Sequence, residues 1–310
     1  MKFSTIAING GLTINQPVIG ASGCLGWGEV LSDLISATAL GAFVTPTITV
    51  DARIGTVGSR TAETVAGLLY NTGMPNPGIS NFVCNVLPFL AQCTSNIVVS
   101  VAGGTAQEWG SLGSALDQVL EATALEANLT GLMPAESSTD SASLITFAAK
   151  AVGSLRKTFS RSLLIKLPSD HFHTAALCRV VENEGADAIV TGHSLRSAAI
   201  RWSGSEPSIR FGEQGGLYSG PAVKPVSLLQ AQIAAASTRL PIIAGGGIMT
   251  PQDALDYYVA GADVVSLGTL CLVSPARVNT FADDVAELLL TIKGDGLSAL
   301  CKVGRPPMSG

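Results

Sequence analysis

Short β-branched runs set at intervals along the chain, with helix-length segments between them, leave few folds open. The runs are Ala42-Phe43-Val44-Thr45, Ile97-Val98-Val99-Ser100-Val101, Leu163-Leu164-Ile165-Lys166-Leu167, Ala188-Ile189-Val190-Thr191, Pro241-Ile242-Ile243-Ala244 and Val264-Val265-Ser266-Leu267. Each is too short for a helix and apolar on both faces, as a strand buried inside a parallel sheet must be. Ala- and Leu-rich segments at 143–155, 173–184, 225–236 and 251–260 predict the intervening helices. That alternation means a parallel α/β sheet. One phrase recurs ahead of strands: Leu40-Gly41-Ala42, Glu184-Gly185-Ala186-Asp187 and Ala260-Gly261-Ala262-Asp263. Its glycine is expected to end the preceding element in a left-handed cap. The repetition favours a closed (β/α)8 TIM barrel over an open doubly wound sheet.

No linker, charge run or low-complexity stretch divides the 310 residues, so a single domain over 1–310 is expected, with a peripheral tail from Cys301 to Gly310. Apolar residues reach 47% and charged ones only 13%, with mean hydropathy +0.41. The apolar residues are nevertheless broken by Gly, Ser, Thr or Pro well short of the roughly 20 needed to span a bilayer. The N-terminus has none of the marks of a signal peptide, and a cytoplasmic protein is expected. A net charge of −5 without a basic stripe argues against nucleic acid as a partner. The 6 cysteines form no CxxC pair, which argues against zinc or an iron–sulfur cluster, and no metal is expected.

Chemistry concentrates in the C-terminal half. Gly245-Gly246-Gly247 follows one predicted strand directly, Gly268-Thr269 follows the next, and Gly215-Gly216-Leu217-Tyr218-Ser219-Gly220 precedes both. These positions correspond to the loops after strands 7 and 8 of a barrel, where backbone N–H groups and a helix N-terminus cradle phosphate. Lys166 closes an otherwise apolar strand, so its ammonium needs either an anionic or electron-rich ligand or a carboxylate supplied by the protein.

Further residues carry a resemblance. Ala21-Ser22-Gly23, then Arg53, Gly55, Arg60 and Ala62-Glu63-Thr64, then Gly73-Met74-Pro75-Asn76-Pro77-Gly78, and Gly216-Leu217-Tyr218-Ser219-Gly220-Pro221-Ala222-Val223-Lys224-Pro225 are similar to the dihydroorotate dehydrogenase family. The match is collinear from about residue 3 to 290. The resemblance implies a (β/α)8 barrel binding FMN and an oxidoreductase working as a homodimer, in some members with a separate electron-transfer subunit. By the same resemblance, Gly246, Gly247, Gly268 and Thr269 hold the FMN phosphate, while Ala21, Ser22, Ser100, Asn128, Lys166 and Gly220 lie along the rest of the cofactor.

The pattern breaks where substrate should sit. The family's Asn-x-Ser-Cys-Pro-Asn stretch, which carries the catalytic base, reads Asn128-Leu129-Thr130-Gly131-Leu132-Met133-Pro134 here. Glycine has no proton to exchange. Of the family asparagines that read orotate only Asn128 remains, the others falling on Tyr70, Met133 and His193, with Asn71 one place along. Unpaired buried amides cost about 1–3 kcal/mol each, so a small cyclic or unsaturated substrate other than dihydroorotate is expected. Pro46 replaces the lysine that usually follows the second strand, and Ser100 an asparagine. Candidates for the missing base are His193, Thr130 and Tyr70, with Tyr218 near them; His193 suits proton transfer best at neutral pH. Arg196 and Arg201 are placed to receive an anionic substrate group, and His171 and His173 flank Phe172 at another strand end. Two alternatives stay open: a dihydroorotate dehydrogenase with a displaced base, and a catalytically silent barrel that binds flavin or another phosphorylated ligand.

Overall fold

The computed structural model describes residues 5–29, 31, 34–134, 140–169, 172–211 and 215–291; His171 and the Cys301 tail fall outside these. An 8-stranded parallel sheet forms the body: β1 Val18–Gly20, β2 Phe43–Val44, β3 Ile97–Val101, β4 Ala122–Asn128, β5 Ser162–Lys166, β6 Ala188–Val190, β7 Ile242–Gly245 and β8 Val264–Leu267. Neighbours run β2-β3-β4-β5-β6-β7-β8-β1. The ring is completed where Gly41 N donates to Val18 O at 2.8 Å and Gly20 N to Ala42 O at 3.2 Å, joining the β1 and β2 regions. This is the (β/α)8 barrel that the strand and helix spacing predicts.

Around the sheet lie α1 Leu87–Cys93, α2 Ala106–Asp117, α3 Ser141–Arg156, α4 Thr174–Asn183, α5 Lys224–Ser237, α6 Pro251–Val259, α7 Thr269–Val273 and α8 Val278–Thr291. Their starts follow from sequence. Thr105 with Glu108, and Thr250 with Asp253, form capping boxes at α2 and α6, satisfying amides that the helix itself leaves unpaired. Buried Leu112, Leu116, Leu144, Ala148, Val152, Leu155, Leu177 and Val181 face the outer surface of the sheet, packed with Val99, Leu125 and Ile165.

A second core fills the barrel's interior. Val44, Val98, Ala124, Leu164, Ala188, Val190, Ile243 and Val264 point inward and are closed off by Ile8, Leu12 and Ile14 from the N-terminal hairpin. That hairpin pairs Ile6–Ala7 with Thr13–Ile14 antiparallel. Ser162, the first residue of β5, fixes it: its hydroxyl accepts from Leu12 N at 2.9 Å and donates to Asn9 O at 2.5 Å. That end of the barrel is thereby stoppered, and among the described residues the mouth lies at the strands' C-terminal ends.

The recurring Gly-Ala phrase, followed by Asp in two of its three places, has two distinct physical uses. Gly185 (φ 96°) and Gly261 (φ 100°) are left-handed caps as expected. Gly41 is not; it is required because a Cβ there would stand 2.6 Å from Ile14 Cγ2 and 3.2 Å from Gln16 O. The two aspartates play matching roles, Asp187 Oδ2 accepting from Leu163 N at 2.9 Å and Asp263 Oδ2 from Ile242 N at 2.7 Å, so each ties its strand to the start of the preceding one. At the mouth a 4-stranded antiparallel sheet of Leu195–Ser197, Gly216–Ser219, Gly67–Tyr70 and Thr61–Thr64 adds a cap that the sequence reading did not anticipate.

Candidate active site

Two regions of the mouth carry chemistry. The first is a glycine-lined ring at the ends of β7 and β8. Gly246 (φ 108°), Gly247 (φ 71°) and Gly220 (φ 112°) hold backbone conformations that side chains resist. A Cβ on Gly246 would meet Ser227 Oγ at 2.3 Å, and one on Gly247 would meet Gly220 O at 2.9 Å, so the loops before α5 and after β7 touch. On the other flank a Cβ on Gly268 would face Ala21 Cβ at 3.8 Å and Cys24 Sγ at 3.7 Å. Among the described residues, the N–H groups of Gly246, Gly247, Gly268 and Thr269 donate to no acceptor. The N-terminus of α6 does not share in this cradle: Asp253 Oδ2 already accepts from Met249 N at 3.0 Å and Thr250 N at 2.8 Å. Unpaired amides converging beside Gly246 and Gly247, whose backbone resists a side chain, fit an anion such as a phosphate.

The second region is a polar chain across the ends of β2 to β6. Lys166 Nζ lies 3.7 Å from Glu126 Oε1, the carboxylate partner that the sequence reading left open. Glu126 is only 2% exposed. Its Oε1 accepts from Ser100 Oγ at 2.9 Å, and Thr47 Oγ1 is 3.1 Å from that same Ser100 hydroxyl. Asn128 Nδ2 donates to Thr47 Oγ1 at 3.1 Å, while Asn128 Oδ1 accepts from Thr130 N at 3.2 Å and Thr130 Oγ1 at 2.7 Å. Thr130 Oγ1 in turn stands 2.7 Å from His193 Nε2, and His193 Nδ1 stands 3.0 Å from Ser194 O. Tyr70 joins from the cap sheet, its hydroxyl donating to Ser194 Oγ at 2.8 Å. The three candidate catalytic residues are thus gathered at one place, Thr130 and His193 in direct contact and Tyr70 one residue removed.

Their protonation states differ. Burial, reinforced by the Lys166 charge and opposed by the Ser194 carbonyl, pushes the His193 imidazole down to about 4. Burial pushes the Tyr70 phenol up to about 12 against the bond to Ser194, and the Cys24 thiol up to about 11 against the pull of Lys166. At neutral pH, therefore, Tyr70 and Cys24 keep their protons, and His193 is the group among these with a lone pair free to take one.

Other expected site residues are used differently. Ser22 Oγ donates to Thr45 O at 2.8 Å, and the Ser100 hydroxyl is committed to Glu126. Asn71, adjacent to Tyr70, donates to Gly215 O at 3.0 Å and accepts from Thr56 Oγ1 at 3.1 Å, holding the cap in place. Tyr218 OH pairs with Thr64 Oγ1 at 3.0 Å on the cap's exposed edge. Arg196 and Arg201 are exposed. His173 Nε2 is 2.5 Å from Ser141 Oγ, at the start of α4. Among the described residues no group of three or more His, Cys, Asp or Glu is placed to hold a metal, and no helix is long and apolar enough to cross a membrane. Glu126 and Thr47 were missed in sequence. A lone acid in an apolar strand, adjacent to the strand bearing a lone lysine, was the available signal for Glu126.

The family model for dihydroorotate dehydrogenase matches residues 7–289. The chain belongs to the dihydroorotate dehydrogenase family. Its similarity to bacterial dihydroorotate dehydrogenase B (NAD(+)) catalytic subunits is extensive: that of Geotalea daltonii is 33% identical over 279 residues, 90% of this chain and 91% of that protein. The corresponding subunit of Desulforudis audaxviator is 32% identical over 289 residues, covering 93% and 94% respectively. A solved dihydroorotate dehydrogenase from Eimeria tenella, in complex with ferulenol, has the same fold, with TM-score 0.76, 19% identity and coverage of 98% of this chain and 89% of that one. As a member of the dihydroorotate dehydrogenase family the chain is a flavin-dependent oxidoreductase acting on CH–CH bonds, with FMN as its cofactor.

Proposed function

We propose that this chain moves a hydride between a carbon of a small cyclic or unsaturated metabolite and the N5 atom of FMN, and that Thr130 and His193 handle the accompanying proton. The observation that carries the reading is the 2.7 Å contact between Thr130 Oγ1 and His193 Nε2, on a ring that its surroundings keep neutral. With the neutral ring protonated on Nδ1, the threonine proton turns from Asn128 Oδ1 to the bare Nε2, and a proton leaving the substrate passes to Thr130 Oγ1 as the threonine proton passes to Nε2, so the hydroxyl relays without carrying charge. Tyr70 remains a phenol and fixes Ser194, whose carbonyl orients the ring. FMN, when bound, supplies the electron sink. Gly246, Gly247, Gly268 and Thr269 would bind its phosphate, with Ala21, Ser22, Ser100, Asn128, Lys166 and Gly220 along the rest.

A substrate other than dihydroorotate is supported by Gly131. A side chain there would meet Ala102 Cβ at 2.5 Å and Met74 Sδ at 3.1 Å, so the space a base would need at this position is filled. Dihydroorotate itself is the second reading, favoured by the 33% identity over 279 residues to a dihydroorotate dehydrogenase subunit. The relatives' designation as catalytic subunits supports a separate electron-transfer subunit as acceptor. The reading is completed by a cytoplasmic homodimer in which residues 1–310 form one FMN-binding unit.

The test is spectroscopic. Purified protein should be yellow or take up FMN on reconstitution, and protein that remains colourless sinks the proposal. Anaerobic mixing with dihydroorotate and with a panel of other dihydro ring compounds then separates the two readings, according to which compound bleaches the flavin within seconds.

A further inference from the structure

We propose that the buried carboxylate of Glu126 sets the state of the His193 ring through a one-way chain of hydrogen bonds, with Thr47 and Ser100 as positioning residues. The catalytic consequence rests on the reading of His193 given above; the chain itself rests on geometry alone.

Its direction is fixed at both ends. A carboxylate accepts only, so the Ser100 hydroxyl gives its one proton to Glu126 Oε1, 2.9 Å away. Thr47, 3.1 Å from that oxygen, must then be the donor to Ser100. Thr47 Oγ1 accepts from Asn128 Nδ2. The amide cannot be turned over, because the Thr130 backbone N–H points at Asn128 Oδ1 from 3.2 Å and requires an acceptor there. Asn128 Oδ1 carries no proton, so the Thr130 hydroxyl donates across their 2.7 Å contact. With that proton committed, the 2.7 Å contact to His193 is made by an N–H on Nε2. The remaining ring nitrogen, Nδ1, faces the Ser194 carbonyl at 3.0 Å, which also accepts only.

Every bond in the chain is satisfied together only when His193 carries a proton on both nitrogens. With a neutral ring, the Nδ1–H form makes Thr130 swing its proton from Asn128 to Nε2, and the Nε2–H form sets two lone pairs against each other at Ser194. A proton arriving at His193 therefore completes a polarised row of donors ending on an anion, and each link strengthens the next. Burial and Lys166 push the other way, toward the neutral ring. Glu126 opposes both influences, because it also sits 3.7 Å from the Lys166 ammonium. Tyr70 and Cys24, also buried at the mouth, stay protonated and add no charge. The result is a ring that is neutral at rest and better able to receive a proton than its burial alone would allow.

Thr47→Val in the full chain loaded with FMN is the decisive variant. It cuts the row in the middle and leaves both the Lys166–Glu126 pair and the Thr130–His193 contact in place. The readout is ring-nitrogen NMR of His193 from about pH 2.5 to 7, a window that spans both the wild-type value and the lower one expected of the variant. The expected result is a fall of about one unit in the pH at which the ring protonates, a tenfold shift in that equilibrium. Ser100→Ala should act in the same direction, and Thr47→Ser, which keeps the hydroxyl, should restore the wild-type titration. An unchanged titration in both Thr47→Val and Ser100→Ala, with FMN bound, overturns the inference. If the titration shifts as expected but His193→Asn reduces flavin at the wild-type rate, the chain stands and the role of His193 as proton acceptor falls.

Discussion

The hydroxyl of Thr130 and the imidazole of His193 meet at 2.7 Å although 63 positions separate them in sequence. They come from the loops after β4 and β6, and between those strands β5 brings Lys166, whose charge helps keep the ring neutral. Removing either partner should therefore slow flavin reduction by about 10²–10⁴-fold, the usual yield of a positioned acid–base group. His193→Asn and Thr130→Val are the variants, with anaerobic stopped-flow bleaching as the measurement. The flavin absorption band should survive in both, since neither side chain lies in the glycine cradle.

The acid side of the pH profile follows from the same ring. A histidine with its ordinary value near 6.5 would stop accepting protons below neutrality, but here the value is pushed down to about 4. Flavin reduction should accordingly hold its rate to about pH 5 and fall only as pH drops through the folded-state value. Stability has a matching sign. The unfolded chain takes up the proton near pH 6.5 and the folded chain resists it, so stability tied to His193 is full above that value. It is lost progressively as pH falls from there toward about 4. Denaturant midpoints for wild type and His193→Asn, compared across that window, isolate this contribution.

Restoring a family-like base should fail. Gly131→Cys places its Cβ 2.5 Å from Ala102 Cβ and 3.1 Å from Met74 Sδ, so the loop must move to admit it. A loss of about 1–3 kcal/mol in folding stability is expected from such overpacking. No gain in bleaching by dihydroorotate should accompany it. Thermal melts and anaerobic spectra check both halves.

The cradle has an equally direct test. Gly246→Ala forces a side chain into a backbone at φ 108° and within 2.3 Å of Ser227 Oγ. Strain of more than about 1 kcal/mol should displace the loop. FMN affinity, followed by fluorescence titration, should weaken about tenfold or more.

At the opposite end, Ser162→Ala removes the acceptor of Leu12 N–H and the donor to Asn9 O. Leaving these groups unpaired should cost about 2 kcal/mol of stability by urea denaturation, with FMN affinity unchanged because the cradle lies at the mouth.

Sequence disclosed the barrel where each strand was uniformly apolar and where Gly-Ala-Asp repeated, since burial on both faces and the turn into a strand leave local marks. β4 escaped notice because Ala122-Thr123-Ala124-Leu125-Glu126-Ala127-Asn128 mixes polar residues into the run, and two of them, Glu126 and Asn128, belong to the polar chain at the mouth. β1 is only Val18–Gly20 and β2 only Phe43–Val44, shorter than any periodicity can mark, though β2's apolar flanks gave it away. Phosphate loops and Lys166 were legible because glycine after a strand and a lone cation within one both need a reason. The partner of Lys166, the role of Thr47 and the cap sheet were not, because each depends on which loops the closed ring sets side by side. Gly41 shows the converse: a residue placed correctly by pattern is required for a close approach to Ile14 rather than for its backbone angle.

The hairpin that carries Ile8, Leu12 and Ile14 into the far end of the barrel closes that end, so that among the described residues the way in is at the strands' C-terminal ends. Whatever donates electrons and whatever collects them must come to the same threshold. The visitor that reduces the cofactor has to depart, or the collector has to draw charge from an edge the first visitor leaves uncovered. Traffic through that one opening, rather than passage from one end to the other, is the logic this architecture imposes on turnover.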